Sequence, residues 1–195
     1  MNALAELPAV THEQLKGHKA GIVWLTGLSG AGKSTIACEL ELRLRRAGVH
    51  TCVLDGDKLR HGLNADLGYS PQDRACNVQR TAHVAQLMAD AGLLVIVAMI
   101  SPYNEGRLYA RSLVPSDQFL EVFVHAPLAV CEQRDPKGMY RQARLGLLPN
   151  FTGIDSAYET PTQPDLVLNT AETTVAACVQ TLKMRLQQQG IWNCA

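Results

Sequence analysis

The chain has 195 residues, 47% of them hydrophobic and 18% charged, with Lys+Arg 18 balanced by Asp+Glu 18. That length gives roughly one domain as a prior, and the composition excludes a disordered chain. A formal charge of zero argues against a protein held to DNA, RNA or a membrane by bulk charge, while leaving room for a local basic pocket.

Residues 1–20 are polar, lack the basic start and apolar core of a signal peptide, and read as an N-terminal extension of a cytoplasmic protein. Residues 21–195 then read as one domain in which strands and helices alternate. Residues 22–26 form a buried strand, followed by a Gly-rich turn. A helix over 33–47 stops at Gly48, and a second strand covers 49–54. Ser70-Pro71-Gln72-Asp73 starts a helix with Ser as N-cap, Pro at N1 and an acid at N3, and that helix runs to about Ala91. Residues 93–100 are apolar throughout, as a strand covered on both faces should be, and are too short to span a bilayer. Further strands are expected at 119–124 and 166–168, and helices at 105–113, 128–133 and 173–189. Residues 134–164, rich in Arg, Gly and Pro, read as a mobile flap with a connecting loop, the lid proper being 134–154.

This alternation predicts an α/β fold of three layers: a central parallel five-stranded sheet with helices on both faces. Such sheets bind ligands beyond the carboxyl ends of their strands. The six cysteines (38, 52, 76, 131, 178 and 194) contain no CxxC pair, so they are expected as reduced, buried thiols.

Gly27-Leu28-Ser29-Gly30-Ala31-Gly32-Lys33-Ser34 fits the phosphate-loop pattern G-x-x-x-x-G-K-[ST]. Its glycines let successive backbone N–H groups face phosphate oxygens, and the following helix adds its positive N-terminus. Lys33 can reach the β- and γ-phosphates, and the Ser34 hydroxyl can ligate Mg²⁺. The chain lacks an N/T-K-x-D guanine-reading pattern, the third strand ends in Ile100-Ser101 where many ATPases place an acid, and the chain is short. Together these features favour a small-molecule kinase.

The second substrate has its own candidates. Asp55-Gly56-Asp57 with Arg60 follows the second strand, where acids can orient a hydroxyl or hold water on Mg²⁺ and an arginine can bind a phosphate. Arg74, Asn77 and Thr81 fall on one face of the long helix. The Arg fork suits a sulfate or phosphate, and Tyr69 can stack on a base.

The segments GLSGAGKST, DGDKLRHGLN, LGYSPQDR, ISPY, FVHAPLAVCEQRDPKGMY, FTGID and DLVLNT, in this order over residues 20–170, resemble the adenylylsulfate kinase (APS kinase) family of P-loop kinases. The resemblance implies phosphorylation of the 3′-hydroxyl of adenosine 5′-phosphosulfate (APS) by ATP, with Mg²⁺. It also implies a homodimer; the sequence carries no attached sulfurylase domain, so an ATP sulfurylase partner is expected as a separate polypeptide. It places Gly27, Leu28, Ser29, Gly30, Ala31, Gly32, Lys33, Ser34, Thr35 and Arg134 at ATP. It places Asp57, Arg60, Tyr69, Arg74, Asn77, Ile100, Ser101, Lys137 and Phe151 at APS. Tyr69 and Phe151 would sandwich the adenine, and Lys33, Asp57 and Ser101 would be catalytic, with Ser34 and Asp57 at the metal. Ser101 matches a family serine linked with a phosphoenzyme, but no base adjoins it in sequence, which favours direct transfer.

The chain departs from the family pattern at Lys58 (Asn is usual), Cys76 and Gln79 (an acid and an Arg), Asn104 (an Arg), and Leu147-Leu148-Pro149-Asn150 (Glu-Ile-Lys-Gly). Asn150 matters most if that position needs a positive φ. A P-loop kinase for another small alcohol or nucleotide, and a nucleotide-binding regulatory subunit without catalysis, are the alternative readings. The intact phosphate loop speaks against the second.

Overall fold

A computed structural model of the protein describes residues 10–192. Five parallel strands form one sheet in the order β2-β3-β1-β4-β5: β1 (Gly21–Thr26), β2 (Thr51–Asp55), β3 (Leu94–Ala98), β4 (Phe119–His125) and β5 (Leu166–Asn169). The two central strands β1 and β3 are buried at every residue, which explains their unbroken apolar sequences.

Each face is covered. On one, α2 (Lys33–Arg46) and α8 (Val175–Gln188) contribute Ile36, Leu40, Leu44, Val179, Leu182 and Leu186 to a core shared with Val23, Leu25 and Ile96 of the sheet. On the other, α4 (Pro71–Asp90) and α5 (Asn104–Ser112) pack Val78, Ala82, Ala85 and Ala110 against Ile22, Trp24, Val95 and Val97. Alternate residues of one strand thus feed two cores, as the pleat requires. The chain leaves β1 to one side for β2 and β3 and to the other for β4 and β5. The crevice at that switch opens beyond the carboxyl end of β1, where the phosphate loop lies.

The expected strands and five long helices are present, with ends shifted by up to two residues. β3 stops at Ala98 rather than residue 100, which frees Met99 and Ile100 to line the cavity. Three short helices were not anticipated. α1 (His12–Lys16) lies in the N-terminal extension and carries a capping box between Thr11 and Gln14. α3 (Gly56–Arg60) replaces an expected loop, because the Asp55 side chain accepts from the N–H groups of Asp57 and Lys58. The flap contains α7 (Met139–Arg144) beyond α6 (Leu128–Arg134).

Residues 1–9 of the expected extension, and Cys194, lie outside the described residues. Of the cysteines expected to be buried, Cys131 and Cys178 are, whereas Cys38 is exposed on α2. Among the described residues, no helix is long and apolar enough to cross a membrane.

Candidate active site

One cavity of about 440 Å³ lies across the carboxyl ends of β1, β2 and β3 and divides into two halves. The first half is built on the phosphate loop between β1 and α2. Gly27 has φ 149°, and a Cβ there would stand 2.3 Å from the Val124 carbonyl oxygen of β4, so only glycine fits. Gly32, at φ 101°, N-caps α2 and turns the chain so that the helix start faces the cavity. Lys33 is buried and donates to the carbonyls of Gly27 (3.0 Å) and Leu28 (2.7 Å). Burial pulls its ammonium down to about 8 from an ordinary 10.5, and the nearby Asp57 carboxylate is the largest opposing influence.

Ser29, Gly30, Gly32, Lys33, Ser34 and Thr35 line the cavity, whereas Ala31 belongs to the hydrophobic core and Leu28 packs against it. The far end of this half is formed by Arg134, Thr170, Thr173 and Val175. Arg134 is the last residue of α6. It donates to the carbonyls of Gly30 (3.2 Å) and Thr170 (2.6 Å) and to the Thr170 hydroxyl. Thr170 in turn donates to the Ala31 carbonyl (2.8 Å), so the phosphate loop is clamped from the end of β5.

The Ser34 hydroxyl donates to Asp55 Oδ2 over 2.6 Å. Asp57 is the carboxylate expected to share the metal with Ser34; in the structure the carboxylate that meets the Ser34 hydroxyl is that of Asp55. Asp55 faces Ser34 while its other oxygen caps α3, whereas the Asp57 carboxylate forms an ion pair with Lys137. A serine hydroxyl and a carboxylate beside a phosphate-binding loop form the hard oxygen donor set that suits Mg²⁺.

The second half is lined by Asp57, Arg60, Tyr69, Arg74, Asn77, Ile100, Ser101, Lys137 and Phe151, so every residue expected at APS is brought to the one cavity. Arg60 lies 4.4 Å from the Tyr69 ring centroid and is held by the carbonyls of Leu67 and Gly68. Arg74, on the buried face of α4, donates to the carbonyls of Tyr69 (3.1 Å) and Asn150 (2.5 Å). Burial first, then the charge of Arg60, depresses the Arg74 pKa. Among the described residues neither arginine meets a carboxylate in an ion pair, which leaves two fixed positive charges facing the cavity. Phe151 is buried, its ring edge-on to Tyr140 with centroids 4.9 Å apart, and the Tyr140 hydroxyl donates to the Ser29 carbonyl.

Ser101 reaches the cavity wall, but its hydroxyl is turned to the core, where it accepts from Trp24 Nε1 at 3.0 Å. Its φ of 40° is held by Arg107, a residue that the sequence pattern does not single out. Fully buried, Arg107 donates to the carbonyls of Ser101 (2.7 Å) and Glu159 (2.7 Å), to Asn104 Oδ1 and to Glu121 Oε1 (3.0 Å). The loop after β3 is thereby joined to the segment that follows the flap. Its only sequence signal is a charge on the buried face of a short helix.

Fold and cavity together define the class: a P-loop kinase-type α/β protein with a phosphate loop and a separate acceptor half-site. The chain belongs to the adenylylsulphate kinase family, whose model matches residues 19–169. It is 54% identical over 178 residues to the adenylyl-sulfate kinase of Aeromonas salmonicida, covering 91% of each chain. It is 52% identical over 177 residues to that of Geotalea daltonii, covering 91% of this chain and 87% of the relative. The solved structure of the Mycobacterium tuberculosis APS kinase CysC in complex with AMPPNP and APS superposes with a TM-score of 0.83 at 48% identity, covering 87% of this chain and 99% of that one. A gluconokinase from Sinorhizobium meliloti, 16% identical with a TM-score of 0.58, shares the fold.

Proposed function

We propose that this protein transfers the γ-phosphoryl group of ATP to the 3′-hydroxyl of APS, giving 3′-phosphoadenosine 5′-phosphosulfate and ADP. The carrying observation is that the phosphate loop with Lys33 and the Tyr69–Phe151–Arg60–Arg74 half-site share one cavity. A relative that shares 48% of its residues binds an ATP analogue and APS together, which supports the same pair of ligands here.

In this reading the loop N–H groups and Lys33 cradle the β- and γ-phosphates, and their negative charge favours the protonated form of Lys33. Arg134, Thr170, Thr173 and Val175 receive the nucleoside of ATP. Tyr69 and Phe151 stack on the APS adenine, while Arg60, Arg74 and Asn77 hold the phosphosulfate and ribose. Asp57 and Lys137 sit where the two halves meet. Asp57 orients the acceptor hydroxyl for in-line attack, and Lys137 adds positive charge near the transferring group. Ser34 and Asp55 would hold Mg²⁺, which when bound neutralises charge on the phosphate oxygens. Residues 134–154 act as the lid that closes over both substrates. A homodimer, a separate ATP sulfurylase partner and a cytoplasmic location belong to the same reading.

The test is turnover of ATP with APS, AMP or gluconate as acceptor in the presence of Mg²⁺, with the product identified. The expected result is a 3′-phosphorylated product from APS alone. Preference for AMP or gluconate would overturn the assignment.

A further inference from the structure

Asn64 lies in the loop between α3 and α4, outside the cavity lining, and is fully buried. Its amide nitrogen donates to Asn77 Oδ1 over 2.7 Å. Its own Oδ1 is buried and has no hydrogen-bond partner. Asn77 does line the cavity, and its carbonyl accepts from the Thr81 hydroxyl at 2.7 Å, one turn further along α4.

The loop that carries Asn64 is tied down on both sides. Asn64 N donates to the Leu59 carbonyl (2.9 Å), and Leu67 N donates to the Asn64 carbonyl (3.1 Å). Arg80, on α4 beyond Asn77, reaches over to the Leu63 carbonyl (3.3 Å) and to both oxygens of Asp66 (2.7 and 2.9 Å). An amide on so fixed a backbone has one choice left, which of its ends meets Asn77. The observed pairing leaves its oxygen without a partner. The reverse would leave both N–H groups of a fully buried amide without acceptors, and buried orphan donors are rarer than orphan carbonyl oxygens. A leucine would fill a similar volume with no unpaired polar atom, so stability alone gives no reason for this amide. What the amide does is fix its neighbour.

We infer that Asn64 is a positioning residue for the acceptor: it holds the Asn77 side chain with the oxygen turned away and the NH2 group toward the cavity, as a donor to an oxygen of the phosphosulfate. The inference rests on the proposed function and refines it. An asparagine free to turn offers a donor end and an acceptor end, and the acceptor end would repel an anion. With Oδ1 occupied by Asn64, Asn77 offers N–H alone, the partner that an anionic oxygen accepts. Arg60 and Arg74 supply the positive charge, and Asn77 adds direction.

The experiment is a double-mutant cycle on Asn64→Ala and Asn77→Ala, with thermal unfolding of each variant and steady-state kinetics in which APS and ATP are varied in turn. Asn64→Ala should raise KM for APS about tenfold, the usual worth of one hydrogen bond, while KM for ATP holds. The double variant should bind APS no more weakly than Asn77→Ala, because Asn64 acts only through Asn77. Asn77→Asp keeps an acceptor for Asn64 but turns an oxygen toward the phosphosulfate, so its KM for APS should exceed that of Asn77→Ala by roughly tenfold. That variant decides the matter even where Asn64→Ala does not fold. Effects that multiply in the double variant would overturn the inference and show a purely structural role, as would an equal rise in KM for ATP. Asn77→Asp binding APS as well as Asn77→Ala would overturn it without any change at Asn64. A wild type inactive on APS would overturn the proposed function and this refinement with it.

Discussion

The indole N–H of Trp24, in the middle of β1, donates to the hydroxyl of Ser101 across 3.0 Å, so the serine oxygen is committed to the core of the protein. The other neighbour within reach is the Met99 carbonyl at 3.5 Å, which cannot act as a base. A serine nucleophile needs a base to take its proton, and this one has none. Incubation with γ-labelled ATP in the absence of APS should therefore leave no phosphoserine on the protein. Ser101→Ala should cost about 1–3 kcal/mol of stability by orphaning a buried N–H. It should also shift the fluorescence of Trp24 and lower activity tenfold or more by releasing the loop after β3. A chemically competent phosphoserine at this position would refute the direct-transfer reading.

Lys33 supplies a pH signature. Its pKa in the folded chain is about 8, below the 10.5 of an unfolded lysine, and burial is the principal cause. Between those values the unfolded chain binds more protons than the folded one. The stability cost of burying the ammonium is thus greatest below pH 8 and is relieved as pH rises toward 10.5. ATP phosphates favour the charged form, so nucleotide binding near pH 8 should take up a fraction of a proton, and affinity should fall as pH rises above 8. Calorimetry in two buffers of different ionisation enthalpy measures the uptake. Lys33→Arg should abolish it, because a guanidinium stays charged. Lys33→Met should leave the fold intact while activity falls by roughly two to three orders of magnitude, as for other groups that stabilise transition-state charge. Equal heats in both buffers at pH 8 would contradict the depressed pKa.

The sheet was legible because its central strands are covered on both faces and so carry uninterrupted apolar runs, as in Leu94–Ala98. The phosphate loop was legible because its glycines answer to backbone geometry, as the 2.3 Å approach at Gly27 shows. α3 was not, since a Gly-initiated helix of five residues contradicts propensity and exists through the Asp55 cap. Nor could sequence choose between Asp55 and Asp57 as the partner of Ser34. Both follow β2, and it is α3 that turns Asp55 inward and Asp57 toward Lys137. Arg107 and Thr170 join segments more than 30 residues apart, so their roles appear only once the chain has folded.

Asn150 adopts φ 59°, the left-handed conformation that its place in the family pattern, normally a glycine, suggested. Asparagine enters this region more readily than other non-glycine residues, and a β-branched side chain is strained there. Asn150→Gly should keep activity and lie within about 0.5 kcal/mol of wild type. Asn150→Val should lose about 1–2 kcal/mol. It should also raise KM for APS, because the Asn150 carbonyl is the acceptor that holds Arg74 in place. Denaturant unfolding and APS titration of the two variants read both effects. A valine variant as stable as wild type would show that the turn relaxes without cost.

The flap touches both halves of the cavity at once. Lys137 pairs with Asp57 on α3, the Tyr140 hydroxyl donates to the Ser29 carbonyl, and Asn150 accepts from Arg74. Between these ties, Arg141 and Arg144 and the neighbouring Leu145 and Leu147 are exposed, which offers trypsin two cleavage points. Cleavage requires the flap to open, and opening breaks contacts to both half-sites, so ligands in both should oppose it. With ADP and APS together, cleavage at Arg141 and Arg144 should slow at least tenfold, and with ADP alone by much less. The Lys137–Asp57 pair has half its side-chain surface in water, so it contributes at most about 1 kcal/mol. Lys137→Met should therefore speed cleavage of the unliganded protein by no more than about fivefold, the factor that energy represents. The same variant should lose most of the protection given by APS, because in the proposed site the Lys137 charge also faces the acceptor. Cleavage unaffected by the two ligands would show that residues 134–154 are not the lid.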